Sequence, residues 1–234
     1  MEFVRQIHPR PRLSAAIDML RGSSVVADIG CDHGRLSCAL IQQGAAKRCI
    51  AVDISAPSLE KARRLADFVG VGDHVETRLG DGFASLAPGE ADAIALLGMG
   101  GALMVRLLER CGQPLNGATR AVFQPMRAVD DIRRYLFYNG YPILADRVVE
   151  EGGRLYQVFC AGEPDGRPVS TPAGWPKDCF CLGYTAFARR DPLIRTLAGR
   201  MLARHEKRLA KGDAPALARE AEQLRRIVDS WAQG

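Results

Sequence analysis

The residues best able to do chemistry form one short run, Asp28-Ile29-Gly30-Cys31-Asp32-His33-Gly34. It lies where an apolar stretch, 25–29, gives way to a helical pattern over 36–43. Glycines at such a junction let a ligand come close to the backbone. The run is not the GxGxxG of dinucleotide sites, because Gly30 and Gly34 are four apart and acids stand where a pyrophosphate needs neutral residues. Asp28 and Asp32 repel a diphosphate and attract a cation inside a partly desolvated cleft. A cofactor with an ammonium and a sulfonium, S-adenosyl-L-methionine, meets that description.

Further candidates follow at successive strand ends. Asp53, with Ile54 beside it, comes about twenty residues after the loop, where a carboxylate accepts both hydroxyls of a ribose. NAD and S-adenosylmethionine share that ribose, and the alternative role for Asp53 is a helix cap for Pro57 onward. Gly80-Asp81-Gly82 offers a carboxylate to an adenine amino group, and Gly98-Met99-Gly100-Gly101 leaves room for a flat base beside the reacting atom. Gln124-Pro125 closes the fifth strand and presents an amide. Each motif alone reads as an ordinary turn or cap; their order on consecutive strand ends argues for one site. The candidate cofactor set is Asp28, Gly30, Cys31, Asp32, His33, Gly34, Asp53, Ile54, Gly80, Asp81, Gly82, Gly98, Met99 and Gly100, and the candidate catalytic residues are Asp32 and Gln124.

The elements that must hold these residues alternate. A leading amphipathic helix over 13–20 precedes strands at 25–29, 49–54, 75–79, 93–97 and 121–124, with helices at 36–43, 58–68, after Gly100, and at 129–138. Strand-like stretches 143–149 and 155–160 flank Glu150-Glu151-Gly152-Gly153, which is turn chemistry, so the sheet ends in a hairpin. Five parallel strands closed by an antiparallel hairpin predict an α/β, Rossmann-like, seven-stranded class I methyltransferase sheet. A stretch rich in Pro and Gly follows, and Asp191-Pro192 opens the first of two striped helices, which Gly212 and Asp213 separate. They predict a C-terminal antiparallel helical hairpin, paired internally or with a second chain. The expected organisation is a cofactor-binding domain over 1–162, a linker or covering loop over 163–188, and a basic helical hairpin over 189–234.

Composition narrows the function classes. With 47% hydrophobic and 25% charged residues, the 234-residue chain is an ordinary globular protein. No apolar run approaches the roughly 20 residues that cross a bilayer, so no membrane partner and a cytoplasmic location are expected. The seven cysteines are odd in number and scattered, which predicts buried thiols, and neither Cys179/Cys181 nor the four histidines have metal-site spacing. No metal is assigned. His205 falls on an apolar helix seam, which leaves His33 as the histidine to test.

The net charge of +5 lies entirely from Arg189 onward, where 11 Lys+Arg face 6 Asp+Glu. Arg189, Arg190, Arg195, Arg200, Arg204, Lys207, Arg208 and Lys211 make either a phosphate-binding stripe or a solvated face. An aromatic content of 6% argues against a base-stacking platform for single strands.

On these motifs the sequence resembles the bacterial tRNA (adenine(22)-N1)-methyltransferases. The likeness runs through Leu13-Ser14, the stretch from Ala27 to His33, Gly80-Asp81-Gly82, Gly98-Met99-Gly100-Gly101, Leu155-Tyr156 and the final helical pair. It implies transfer of a methyl group from S-adenosylmethionine to N1 of an adenosine, with tRNA as partner and the basic helices as its dock. One residue departs: the family carries Gln-Pro-Asn where this chain has Gln124-Pro125-Met126, so the contact of the missing amide falls to Gln124 or Asp32. A methyltransferase for protein or small molecules, a nicotinamide oxidoreductase, and a non-catalytic RNA-binding module on the same fold remain as alternatives.

Overall fold

Helix α1 (Pro11–Leu20) begins two residues ahead of the apolar pattern because Pro11 fits the first helical turn, where its missing N–H costs nothing. Five strands and four helices follow: β1 (Ser23–Ile29), α2 (Arg35–Gln42), β2 (Ala46–Asp53), α3 (Ala56–Phe68), β3 (Val75–Leu79), β4 (Ala93–Gly100), α4 (Gly101–Glu109), β5 (Arg120–Arg127) and α5 (Val129–Tyr138). The hairpin β6 (Ile143–Glu151) and β7 (Arg154–Gly162) ends the sheet, and α6 (Tyr184–Ala188), α7 (Pro192–Leu209) and α8 (Pro215–Ser230) complete the chain. This computed structural model describes residues 5–212 and 215–231, so the expected helix start at Asp213 lies outside the described residues.

The strand order is β3-β2-β1-β4-β5-β7-β6, with β1 to β5 parallel and β7 antiparallel to both neighbours. The predicted seven-stranded plan is the one adopted. The order of strand addition reverses between the parallel strands β1 and β4, which opens a crevice at their carboxyl ends. One face of the sheet packs on α1, α2 and α3, the other on α4 and α5.

Local chemistry explains several boundaries. Ser55 caps α3, its hydroxyl accepting from Ser58 N at 3.3 Å, and Asp191 caps α7, its carboxylate accepting from Leu193 N at 2.9 Å. Gly152 and Gly153 both have positive φ, as a two-residue hairpin turn between right-twisted strands requires. The fourth strand is longer than expected. It runs through Gly98 and Met99 with two register irregularities and enters α4 without a loop, so the glycine cluster is a bulged strand end rather than a turn.

The segment over 163–188 is more than a covering loop. Trp175, Cys179, Cys181, Leu182 and Ala186 are buried with Ile194 and Ala198 of α7 and with Leu224 and Ile227 of α8. Phe187 stands between the two tryptophans, its ring 5.2 Å from Trp175 and 5.0 Å from Trp231, both edge-on. A buried polar network joins this third core to the sheet. Arg133 of α5 donates to Asp146 of β6 at 2.5 Å and to Gln157 of β7 at 3.1 Å. Asp146 also accepts from the amide and hydroxyl of Thr185, and Gln157 donates to the Cys181 carbonyl at 2.8 Å.

Candidate functional site

The loop after β1 is held in a shape few sequences tolerate. Gly30, Asp32 and Gly34 all have positive φ, and the amides of Gly30 and Cys31 both donate to the Val52 carbonyl, at 2.8 and 3.0 Å. A Cβ on Gly34 would sit 2.7 Å from that of Ala62, so this glycine lets α2 and α3 touch, while one on Gly30 would meet the Met99 methyl at 3.0 Å. The β1 and β4 ends therefore form one bare-backbone cradle.

Carboxylates ring it at three depths. Asp28 lies beneath the loop, 3% exposed, and accepts from the Ser37 hydroxyl at 2.7 Å. Burial pushes its carboxyl up to about 6, against the opposing pull of the Ser37 hydrogen bond. It supports the loop from below instead of lining the surface, and Cys31 is buried as well, its thiol raised by desolvation far from reactivity. Asp53 is half-buried, accepting from the Asp32 amide at 3.0 Å and the Ser55 amide at 2.9 Å, which leaves lone pairs on each oxygen for further donors. The helix cap that the sequence offered as the alternative role for Asp53 is filled by Ser55 instead. Ile54 beside it is 74% exposed, an apolar surface left open among the described residues.

Asp32 is exposed and bonds His33 Nδ1 at 2.7 Å, while His33 Nε2 lies 3.1 Å from Lys61 Nζ. The imidazole thus bridges Asp32 and Lys61. Asp81 is engaged by Arg110 at 2.7 Å, an exposed pair that a ligand can displace at little cost. Packing requires Gly80 and Gly82, since a Cβ would fall 2.6 Å from Ser85 Cβ or 2.4 Å from Leu107 Cδ2. Gly98 has positive φ and open space around it, and Gly101 packs so closely that a Cβ would lie 1.9 Å from the Ala128 carbonyl oxygen.

The crevice continues across β5, since Leu97 pairs with Gln124 and Gly100 with Arg127. Gln124 is 2% exposed; its amide nitrogen donates to the Pro125 carbonyl at 3.1 Å and faces Met126 Sδ at 3.5 Å. Its Oε1 accepts no hydrogen bond among the described residues, so the acceptor end of the amide is unspent. Beyond it opens a cleft of about 850 Å³, walled by 125–130 on one side and by Arg200, Arg204 and Arg208 of α7 on the other.

The predicted basic stripe divides. Arg200, Arg204 and Arg208 recur at four-residue steps along the cleft, and Lys207 and Lys211 fall on the adjoining turns. Three others stand apart. Arg195 is about 140° around the helix from Arg200, Arg190 lines a separate pocket with Phe187 and Trp231, and Arg189 turns inward to donate to the Asp146 carbonyl. His205 is buried on the helix seam with Nε2 3.1 Å from Glu220, but neither ring nitrogen makes a hydrogen bond among the described residues. Sequence reasoning missed Arg12, Arg127 and Arg154; none belongs to a motif or charge run, and the fold alone brings them to this face.

Among the described residues no helix is long and apolar enough to cross a membrane, and no group of three or more His, Cys, Asp or Glu could hold a metal. A family model described as a methyltransferase domain matches residues 10–159. The chain belongs to that methyltransferase family. The match covers the whole loop, every strand end of the crevice and most of the hairpin. A curated relative, the tRNA (adenine(22)-N(1))-methyltransferase of Bacillus subtilis (strain 168), is 34% identical over 154 residues, which is 66% of this chain and 65% of that protein. The crystal structure of the B. subtilis m1A22 tRNA methyltransferase superposes with a TM-score of 0.80 at 25% identity, covering 95% of this chain and 100% of the other. A Streptococcus pneumoniae protein solved in complex with S-adenosyl-L-methionine has the same fold, with a TM-score of 0.80 at 22% identity over 93% of this chain and 98% of that one. The methyltransferase domain and the helical pair after it are thus both present in those folds.

Proposed function

We propose that this methyltransferase uses S-adenosyl-L-methionine to methylate N1 of an adenosine in tRNA, at position 22 as its relatives' names state. The observation that carries the reading is the continuity of two surfaces: an acidic, bare-backbone crevice at β1 and β4 runs into a basic cleft between β5 and α7. The first suits a cation with a ribose, the second a polyanion.

The residues present fit the cofactor. Gly30 and Gly98 leave backbone uncovered, Asp53 keeps acceptor capacity for ribose hydroxyls, Asp32 offers an exposed carboxylate to an ammonium, and Ile54 offers an apolar face to a base. When bound, S-adenosylmethionine supplies an electrophilic methyl group with a good leaving group. The protein's share is then alignment more than covalent help. Adenine N1 attacks through its own lone pair, so no base has to remove a proton first. Positive charge builds on the ring and sharpens the N6 amino group as a donor; Gln124 Oε1, which accepts no hydrogen bond among the described residues, is the acceptor suited to it. Asp32, tied to His33, serves the cofactor side better than the target base.

In this reading residues 1–162 do the chemistry, 163–188 pack the helical pair onto the sheet, and 189–234 dock the tRNA through Arg200, Arg204 and their neighbours. Seven thiols without a disulfide suit the cytoplasm, where tRNA is processed. The test is methyl incorporation from labelled cofactor into unmodified tRNA, protein and small metabolites, followed by nucleoside mapping. Label confined to N1-methyladenosine in tRNA is the expected result, and label in protein or metabolites alone overturns it.

A further inference from the structure

Arg12, on the first turn of α1, is fastened more completely than a helix-terminal arginine needs to be. Glu151, at the end of β6, accepts from its Nη2 at 2.8 Å, from its Nε at 3.1 Å and from its backbone amide at 3.2 Å. The guanidinium carbon lies 4.4 Å over the Tyr156 ring. Clamp and stack together fix a side chain that ordinarily holds about 2 kcal/mol of rotamer entropy. Glu151 in turn is held below the usual carboxylate range by that guanidinium.

What the clamp leaves over is the distal edge. Of the five guanidinium N–H groups, Glu151 takes the Nε side, and Nη1 faces Met126 Sδ at 3.3 Å. A thioether is a weak acceptor, unable to hold a charged donor against an anionic oxygen. Met126 and Tyr156 both line the 850 Å³ cleft, and Met126 is the residue next but one to Gln124. A preorganised cationic edge therefore stands at the cleft rim, beside the acceptor suited to the target base. Arg10 is 3.9 Å from Glu151, so the local balance stays positive despite the clamp.

We propose that Arg12 anchors a phosphate flanking the target adenosine, its distal Nη1/Nη2 edge moving from the Met126 sulfur to a phosphate oxygen. The proposal rests on the tRNA reading above. It separates Arg12 from the arginines of α7, which are exposed and suited to general tRNA attraction, because a single pre-set edge fixes one nucleotide against the reacting methyl group. Anionic oxygen is the chemistry selected, since the ring nitrogens of adenine are neutral acceptors and gain less from a charged donor.

The experiment uses the full-length enzyme and tRNA ligated from synthetic halves, with one methylphosphonate at either the 5′ or the 3′ phosphate of the target adenosine. For wild type, one of the two neutral linkages is expected to lower kcat/KM about tenfold, the size of a lost charge-assisted hydrogen bond. Arg12→Gln should show a loss of about that size on native tRNA and no further loss on the neutral linkage. Arg12→Lys, which keeps charge without the fork, should fall between the two. Affinity for S-adenosylhomocysteine should be unchanged in both variants, which a general structural failure would not allow. Wild type indifferent to both neutral linkages, or losses that simply add in Arg12→Gln, overturn the anchor while leaving the tRNA reading intact. A wild-type enzyme inactive on native tRNA overturns the tRNA reading, and the anchor with it.

Discussion

Asp28→Asn tests how the loop after β1 is supported. The native carboxyl is buried, and desolvation lifts it from 3.8 to about 6 despite the Ser37 hydrogen bond. A raised acid keeps its proton in the folded state while the unfolded chain has already released it. Stability from this group is therefore highest below about pH 4, falls as pH climbs to about 6, and stays at the lower level above. A rise of that size corresponds to about 3 kcal/mol. Urea unfolding followed by far-UV circular dichroism, from about pH 4 to about pH 8, should show wild type losing about 3 kcal/mol relative to Asp28→Asn across that window. The difference between the two proteins cancels the opposite slopes of Glu76 and Glu90, whose arginine partners lower them. It also cancels any fixed cost of burying the new amide. A cation bound above the loop should return part of the loss, so cofactor affinity in wild type should rise as pH passes 6 and that rise should vanish in the variant. A flat difference curve would refute the reasoning, because it would mean that the carboxylate is hydrated or otherwise compensated in the folded state.

Three other outcomes are expected. Gly101→Ala has no room for its methyl against the Ala128 carbonyl and should cost about 3 kcal/mol or more, read as a collapse of the thermal midpoint; near-native stability would show that the α4–α5 junction yields easily. Arg133→Met strands the buried Asp146 carboxylate and should cost about 3–5 kcal/mol by denaturant titration, with Asp146→Asn in the same background recovering part of it. Met126→Leu removes the sulfur that takes one amide proton of Gln124 and should lower kcat about threefold with cofactor affinity unchanged, whereas Met126→Asn should restore it. Equal losses in the two Met126 variants would make the position one of shape alone.

The sheet was legible because its signals are periodic and local. Apolar strands alternated with amphipathic helices, and Gly140, Gly152 and Gly153 stood where the backbone needs positive φ. The loop from Asp28 to Gly34 was legible because its glycines and acids are contiguous. Depth was not. Asp28 and Asp32 look alike in sequence, yet one is under the loop and the other above it, since strand alternation sends the first toward α2 and Ser37. The Arg133–Asp146–Gln157 network and the Arg12–Glu151–Tyr156 clamp join residues of different elements, with no local pattern to announce them. Among the basic residues after Arg189, helical phase sorted the stripe on α7, but only the fold could turn Arg189 inward.

The aromatic cluster around Phe187 has a spectroscopic consequence. The chain contains two tryptophans, and Trp175 and Trp231 both flank that ring, leaving the sheet and the loop after β1 without an indole. Intrinsic fluorescence is therefore a private reporter of the C-terminal core, while far-UV circular dichroism follows the whole molecule. Coincident midpoints by the two probes would mark one cooperative unit held together through Arg133 and Asp146. An earlier fluorescence transition would reveal a helical pair that opens while the catalytic sheet stays folded, and would give its opening free energy without any added label.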